Sequence, residues 1–259
     1  MDINGHPRIN ILGVGVSAIS MEEAVRATDN FLRKQEDQGY VCVTGVHGIM
    51  EAQQDAQFRQ ILNGSFLTTP DGMPTVWLGH AHGFKTMTRV YGPDYMLQIC
   101  KISVERGYRH FLYGGKPGVA EQLRASLLEK YPGVQIVGTY TPPFRPLTAA
   151  EEDDLRQQIE QCRADVLWCG LSTPKQERFM SAYNGRLPVK LMVGVGAAFD
   201  LLSGNLSEAP AWMKRSGLQW LYRLLKEPRR LWRRYLMNNP RFVWLTMLQL
   251  TKVKKFSLS

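Results

Sequence analysis

Acidic residues all but vanish from the last fifth of this chain. Residues 211–259 hold Glu227 as their single acid beside twelve of the 32 lysines and arginines, whereas the first 210 residues balance 20 bases against 22 acids. A near-neutral body thus carries a cationic tail, and such a surface selects anionic partners: bilayer headgroups or a phosphate-bearing substrate. Other absences narrow the reading. No Asp-x-Asp occurs, and cationic side chains are the alternative to metal-bound carboxylates for stabilising a leaving diphosphate. Cys42, Cys100, Cys162 and Cys169 form no Cys-x-x-Cys pair and three of them lie in apolar runs, the pattern of reduced core thiols in a cytoplasmic protein. His47, His80, His82 and His110 show no ligand spacing on a readable helix, so neither metal nor cofactor is expected. Residues 1–10 carry Asp2 and no apolar core of a secretory signal. The longest apolar stretch near the end, 242–250, is about half of the roughly 20 residues a spanning helix needs. The tail is expected to lie on a membrane and not to cross one.

What is present is an alternation of short β-rich runs with helical patterns. Strands are expected at 8–14, 40–44, 66–69, 108–113, 134–139, 166–170 and 189–195. Helices are expected at 20–38, 46–62, 92–106, 117–131, 148–162 and 174–184, two of them opened by the capping boxes Ser20 to Glu23 and Thr148 to Glu151, one by Pro117. This order implies right-handed crossovers and an α/β fold: a doubly wound, mainly parallel, Rossmann-like sheet with a C-terminal basic helical appendage. Ligands of such sheets sit beyond the carboxyl ends of the strands. That rule directs attention to Thr44, to 70–72, to Gly114-Gly115-Lys116, to Tyr140, to 170–177 and to 194–200.

Asp71, between Pro70 and Gly72, reads either as the N-cap of a following helix or as a general base in a ligand crevice. The run Gly170-Leu-Ser-Thr-Pro-Lys-Gln-Glu177 opens a helix whose amides and polar side chains suit an anion or nucleotide, with capping by Thr173 as the plainer alternative. Gly114-Gly115-Lys116 has the look of a phosphate-cradling turn but lacks the full phosphate-loop spacing. Gly13-x-Gly15-x-x-Ala18 imitates the dinucleotide fingerprint and fails on context, because the capped helix starts only at Ser20 and the 40–44 strand ends without an acid. Arg223, Arg230 and Arg234 recur at intervals of seven and four with Arg233 adjacent, so one helix would bring them to one face unless Pro228 interrupts it.

At these residues the chain resembles the WecG/TagA/CpsF family of bacterial glycosyltransferases along almost its whole length. The likeness rests on Pro70-Asp-Gly-Met-Pro74, Arg89-Val-Tyr-Gly-Pro-Asp94, Tyr113-Gly-Gly-Lys-Pro117, Gly138-x-Tyr140 with Pro142-Pro-Phe144, Thr173-Pro-Lys-Gln-Glu177, Gly194-Val-Gly-Ala-Ala-Phe-Asp200, Ala209-Pro210 with Trp212, and Gly217-Leu-Gln-Trp-Leu-Tyr-Arg-Leu224 continuing to Glu227-Pro-Arg-Arg230. The resemblance implies an inverting, metal-independent enzyme that moves a sugar from a UDP donor to a polyprenyl-diphosphate-linked saccharide, peripheral on the inner face of the cytoplasmic membrane. It implies Asp71 as catalytic base, and Gln176, Asp200, Arg223, Arg230 and Arg233 as donor contacts, with Asp200 toward the uracil and the arginines over the diphosphate; the strand-end rule adds Gly114, Gly115 and Tyr140 as expected donor contacts. Thr44 and His47 would touch the acceptor or the sugar. On that reading residues 1–205 form the catalytic domain and 206–259 an appendage for active-site closure and membrane association. The chain departs from the family pattern where Thr44-Gly-Val-His47 lacks an Asn, where Gln219 replaces a common Glu and where Ser172 replaces a common Gly. The variant Val46-His-Gly-Ile-Met-Glu51 resembles the branch that transfers β-1,4-glucose in exopolysaccharide assembly of the xanthan type, so UDP-glucose is the expected donor, with N-acetylmannosaminyl or N-acetylmannosaminuronyl transfer as the alternative.

Two other classes compete: a nucleic-acid-binding protein using the tail, and a non-catalytic sugar-nucleotide binder. The interleaving of tail aromatics with Leu221, Leu224, Leu225, Leu231 and Leu236 favours a helix packed on the body or a bilayer over stacked bases, so no nucleic-acid partner is expected. A homo-oligomer is compatible with the sequence.

Overall fold

The computed structural model describes residues 2, 3, 5–34 and 38–258. From the amino end its elements are β1 (Asp2–Ile3), β2 (His6–Ile11), β3 (Val14–Ser17), α1 (Met21–Arg33), β4 (Gly39–Thr44), α2 (Val46–Glu51), α3 (Ala56–Asn63), β5 (Leu67–Pro70), α4 (Met73–Ala81), α5 (Gly92–Arg106), β6 (Arg109–Gly114), α6 (Val119–Lys130), β7 (Gln135–Tyr140), α7 (Ala149–Cys162), β8 (Val166–Gly170), α8 (Lys175–Tyr183), β9 (Leu191–Gly194), α9 (Ala198–Leu202), α10 (Ala211–Arg215), α11 (Gln219–Lys226) and α12 (Pro228–Leu250). They divide into two compact units, one of residues 1–21, 43–91 and 208–259, the other of 22–42 and 92–207.

The second unit carries the parallel ladders β4·β9, β9·β8, β8·β6 and β6·β7. With β5 beside the end of β4, the sheet order is β5-β4-β9-β8-β6-β7, the doubly wound α/β sheet that the alternation of elements implies. Consecutive residues Val166, Leu167, Trp168 and Cys169 are all fully buried, which happens only when both faces of a sheet are covered. Helix α7 starts where its capping box requires: the Thr148 hydroxyl accepts from the Glu151 amide and Glu151 Oε2 accepts from the Thr148 amide at 2.8 Å.

The first unit departs from expectation in its opening segment. The apolar alternation of 8–14 is not one strand of the parallel sheet but the start of an antiparallel hairpin, β2 against β3, with Ile11 paired to Val14. Leu12 and Gly13 form its two-residue turn with φ of 52° and 85°, and the Gly13 amide donates to Asn10 Oδ1 at 2.7 Å. The glycine that imitates a nucleotide fingerprint thus serves a tight turn. The expected helix over 46–62 is two, because the Asp55 carboxylate accepts from the Phe58 amide at 2.9 Å and starts α3 anew. Pro117 stands ahead of α6, whose cap is left-handed Gly118. Of the helix expected to Gln38, α1 ends at Arg33, and 35–37 lie outside the described residues.

The tail is not one helix across Pro228. Helix α11 ends at Lys226, and α12 starts with Pro228 at its first position, where a missing amide costs nothing. Helix α12 packs on α2 and α11 and buries the stripe Leu231, Tyr235, Phe242 and Thr246. Its far side exposes Met237, Val243, Trp244 and Met247. Gln249 fastens its end to the hairpin, accepting from the Leu12 amide at 3.0 Å and donating to the Asn10 carbonyl at 2.9 Å. Among the described residues no helix is long and apolar enough to cross a membrane.

Candidate active site

In the first unit β5 delivers Asp71, whose amide donates to the Thr44 carbonyl at 3.0 Å. The residue capping α4 is Gly72, at φ 111°, with no side-chain cap, so the plainer reading of Asp71 as an N-cap is not what the structure shows. Its Oδ1 accepts instead from Arg89 Nε at 3.3 Å and Nη2 at 3.2 Å. A Cβ on Gly45 would collide with the Asp71 carbonyl oxygen, so glycine there sets how closely the two loops approach. Arg89 also donates to Gln219 Oε1, and its guanidinium lies 4.2 Å from the centre of the Tyr91 ring. Gln219 Nε2 in turn donates to the Tyr91 hydroxyl at 2.9 Å. Burial, then the charges of Asp71 and Glu208, hold the Tyr91 hydroxyl well above its ordinary range and therefore protonated. The chain of contacts Asp71, Arg89, Gln219, Tyr91 ties the first residue of α11 to the carboxylate.

Three arginines come together on the same unit. Arg223 lies in the last turn of α11, between Tyr222 and Leu224, and Arg230 and Arg234 stand one turn apart on α12. Burial lowers the Arg234 guanidinium from its usual value and the neighbouring Arg223 and Arg230 charges lower it further, while Tyr235 and Asp71 act in the opposite direction. Arg230 pairs with Glu227 at 2.5 Å. Arg233 is exposed, with its guanidinium 5.2 Å from the Trp232 ring, and does not join this group. Thr44 is 2% exposed and its hydroxyl makes no hydrogen bond among the described residues. His47 Nδ1 lies 3.6 Å from Glu51 Oε1.

The second unit places the remaining residues at the ends of β6, β7, β8 and β9. Gly114 has φ 123°, and a Cβ there would sit 2.7 Å from the Gly170 carbonyl carbon. Gly115 donates its amide to the Gly170 carbonyl at 3.1 Å. This glycine pair lets the ends of β6 and β8 touch. Tyr140 closes β7 and stacks on Tyr113 at 5.8 Å, which stacks on Phe179 at 4.3 Å. Gln176, 3% exposed, donates to Glu177 Oε1 at 3.0 Å, and that oxygen also accepts from the Thr173 hydroxyl at 2.8 Å. Thr173 therefore orients Glu177 and does not cap α8. Gln176 Oε1 is buried and makes no hydrogen bond among the described residues. Asp200 lies in the first turn of α9. Among the described residues no three His, Cys, Asp or Glu side chains are grouped so as to hold a metal ion.

Sequence reasoning passed over Arg89, Tyr91 and Gln219 as functional groups and weighed Arg234 only as part of a helical repeat. The i, i+2 spacing of Arg89 and Tyr91 is a signal that two side chains of an extended segment share a side. The pairing with Gln219, 130 residues on, leaves none.

The chain is 30% identical over 204 residues to the N-acetylglucosaminyldiphosphoundecaprenol N-acetyl-beta-D-mannosaminyltransferase of Bacillus subtilis strain 168, covering 79% of this chain and 77% of that protein. It is 28% identical over 193 residues to the enzyme of the same name from Bacillus spizizenii strain ATCC 23059 / NRRL B-14472 / W23, covering 74% and 72%. Residues 9–256 match the family model described as glycosyl transferase WecG/TagA/CpsF, and the chain belongs to that family.

Proposed function

We propose that this protein transfers an N-acetylmannosaminyl group from a UDP donor to a saccharide on polyprenyl diphosphate, by inverting displacement, with arginines taking the charge of the leaving diphosphate. Both relatives carry N-acetylmannosaminyl names, which favours this sugar over the glucose and the exopolysaccharide assembly that the 46–51 variant suggested. The observation that carries the chemistry is the Asp71 carboxylate held by Arg89 and felt by Arg234: a base and a cationic cluster on one unit.

Asp71 takes the proton of an acceptor hydroxyl as its oxygen attacks the anomeric carbon on the face opposite UDP. The carbon–oxygen bond to the diphosphate breaks, and UDP leaves with one more negative charge than it carried as a sugar ester. Arginines near that charge stabilise the transition state more than the ground state. Thr44 and His47 contact sugar or acceptor, while Gln176, Asp200, Tyr140 and the Gly114-Gly115 turn hold the donor. The exposed apolar side of α12, with Arg229, Arg233 and Arg241, seats the protein on the anionic inner face of the cytoplasmic membrane.

The test is UDP release with UDP-N-acetylmannosamine or UDP-glucose and a short-chain lipid-diphosphate N-acetylglucosamine acceptor, in EDTA, for wild type and Asp71→Asn. Release with the first donor that falls about 10²- to 10⁴-fold in the variant supports the reading. Release with glucose instead moves the donor. Equal release by the variant, or none by either protein, removes it.

A further inference from the structure

Among the described residues, Arg89 is the one side chain that donates to the Asp71 carboxylate, and it meets a single oxygen. Its Nε and Nη2 both reach Oδ1, at 3.3 and 3.2 Å, while Oδ2 accepts from no described residue. The open oxygen is the one left to take a proton, and it stays open only while the guanidinium keeps this one-sided pose. Two further contacts fix the pose. The guanidinium lies 4.2 Å from the centre of the Tyr91 ring, and Nη2 also donates to Gln219 Oε1. Because a guanidinium has donors and no acceptor, it must face the oxygen of the Gln219 amide. The amide nitrogen is thereby turned to Tyr91, and Nε2 donates to the hydroxyl at 2.9 Å. Tyr91 is buried and the Arg89 side chain nearly so, so little water competes for these contacts.

An arginine and a carboxylate left to themselves favour the forked pairing in which two nitrogens meet two oxygens. That pairing would occupy Oδ2 as well as Oδ1, and a carboxylate with both oxygens held by a guanidinium is a poor proton acceptor. Here one arm of the fork is engaged elsewhere, by Gln219. Gln219 opens α11, a helix with no buried residue, so its side chain is located by Arg89 and Tyr91 and not by enclosure in a core. We propose that Gln219 is a positioning residue for the base: by accepting from Arg89 Nη2 it keeps the guanidinium on one oxygen of Asp71 and leaves the other open to the acceptor hydroxyl. This rests on the reading of Asp71 as base and goes past it by giving a role to a residue that neither the strand-end rule nor the resemblance assigns. A glutamate at 219 offers Arg89 the same acceptor, and its second oxygen can accept from the Tyr91 hydroxyl. A methionine of nearly the same length offers neither contact.

The experiment is steady-state UDP release with the short-chain acceptor, on the full chain, for wild type, Gln219→Met, Gln219→Glu, Arg89→Lys and the double variant Gln219→Met with Arg89→Lys. Gln219→Met is expected to lower kcat about tenfold with both KM values within about twofold and the melting temperature unchanged, the mark of a misdirected base. Gln219→Glu recovers most of the lost rate. Because Gln219 acts through Arg89, the double variant is expected within about twofold of the slower single variant, since residues that work as one unit do not add. A kcat for Gln219→Met within about twofold of wild type overturns the proposal, as does a glutamate variant as slow as the methionine one, or a double variant whose loss is the product of the two single losses. A loss that comes with a lowered melting temperature in both Gln219→Met and Gln219→Ala is a structural effect and overturns it too. Asp71→Asn separates the two readings: wild-type release by that variant ends the base reading and this inference with it, whereas its collapse beside a normal Gln219→Met ends this inference alone.

Discussion

Arg89 meets two demands with one guanidinium, holding Asp71 through Nε and Nη2 while Nη2 also reaches Gln219. A lysine keeps the charge but offers no fixed fork. Arg89→Lys is expected to lower kcat about tenfold with the donor KM within about twofold, the signature of a misplaced base; steady-state kinetics on the short-chain acceptor decide it. The place of Asp71 at a strand end was legible from its Pro-Asp-Gly setting, but its partners were not, since Arg89 and Gln219 meet only through the tertiary fold. His110 was legible only as a histidine without ligand spacing. In the fold it is fully buried, its Nδ1 accepts from Trp168 Nε1 at 3.0 Å, and its Nε2 makes no hydrogen bond among the described residues. Burial holds its pKa down to about 4, against an opposing pull from Asp165. A histidine depressed in the folded state binds its proton more readily when unfolded, so stability is lost as pH falls from 6.5 toward 4, by at most about 3 kcal/mol. Thermal melts of wild type and His110→Gln, which keeps an acceptor for Trp168, check this: the variant's melting temperature falls less over that window.

Elements with a local start signal were legible, and those whose ends are set by distant contacts were not. Helix α7 begins and ends where Thr148, Glu151 and Cys162 placed it, because a capping box satisfies two amides with residues of its own segment. The 8–14 run carried the right periodicity and the wrong partner. Alternation identifies a strand, but only the positive φ of Leu12 and Gly13 folds it back on Val14–Ser17. Helix α4 escaped because 73–81 is apolar nearly all round and shows no helical stripe. The break between α2 and α3 turns on Asp55, whose cap reads in hindsight as Asp three residues before Phe58. Asp55→Ala is expected to cost about 1 kcal/mol, seen in the urea midpoint with no change in slope. The fastening of α12 is a larger matter. Gln249→Ala leaves the Leu12 amide and the Asn10 carbonyl without partners, a loss of about 1–3 kcal/mol. Hydrogen exchange should rise over 228–258 before it rises in the β4 to β9 ladders, because the two lie in different compact units.

At the scale of the whole molecule, the formal net charge of +9 is the sum of a nearly balanced body and a tail with one acid. The tail's cations fall into two groups by burial. Arg223 and Arg234 are half-buried, while Arg229, Arg233, Arg241, Lys252, Lys254 and Lys255 are exposed. Helix α12 is apolar on two sides: one stripe packs on the body and the other, with Met237 65%, Trp244 61% and Met247 54% exposed, faces outward. A surface of this kind binds an interface by two additive terms, electrostatic attraction of about 1 kcal/mol per basic residue near anionic lipid and burial of the apolar stripe. Salt separates them, since screening shortens to roughly 3 Å at 1 M. Flotation with vesicles containing anionic lipid should therefore fall steeply between 0.1 and 1 M salt, an expectation set by that screening, and leave a residue of binding. Replacing Trp244 and Met247 together by Ser should abolish the residue. Because neither side chain lies in the buried stripe, the double variant should melt as wild type does and release UDP at the wild-type rate with the short-chain acceptor, yet slow with a long-chain acceptor in vesicles. Equal flotation on neutral vesicles, or a double variant that still binds in 1 M salt, would show that the tail meets the membrane by some other face.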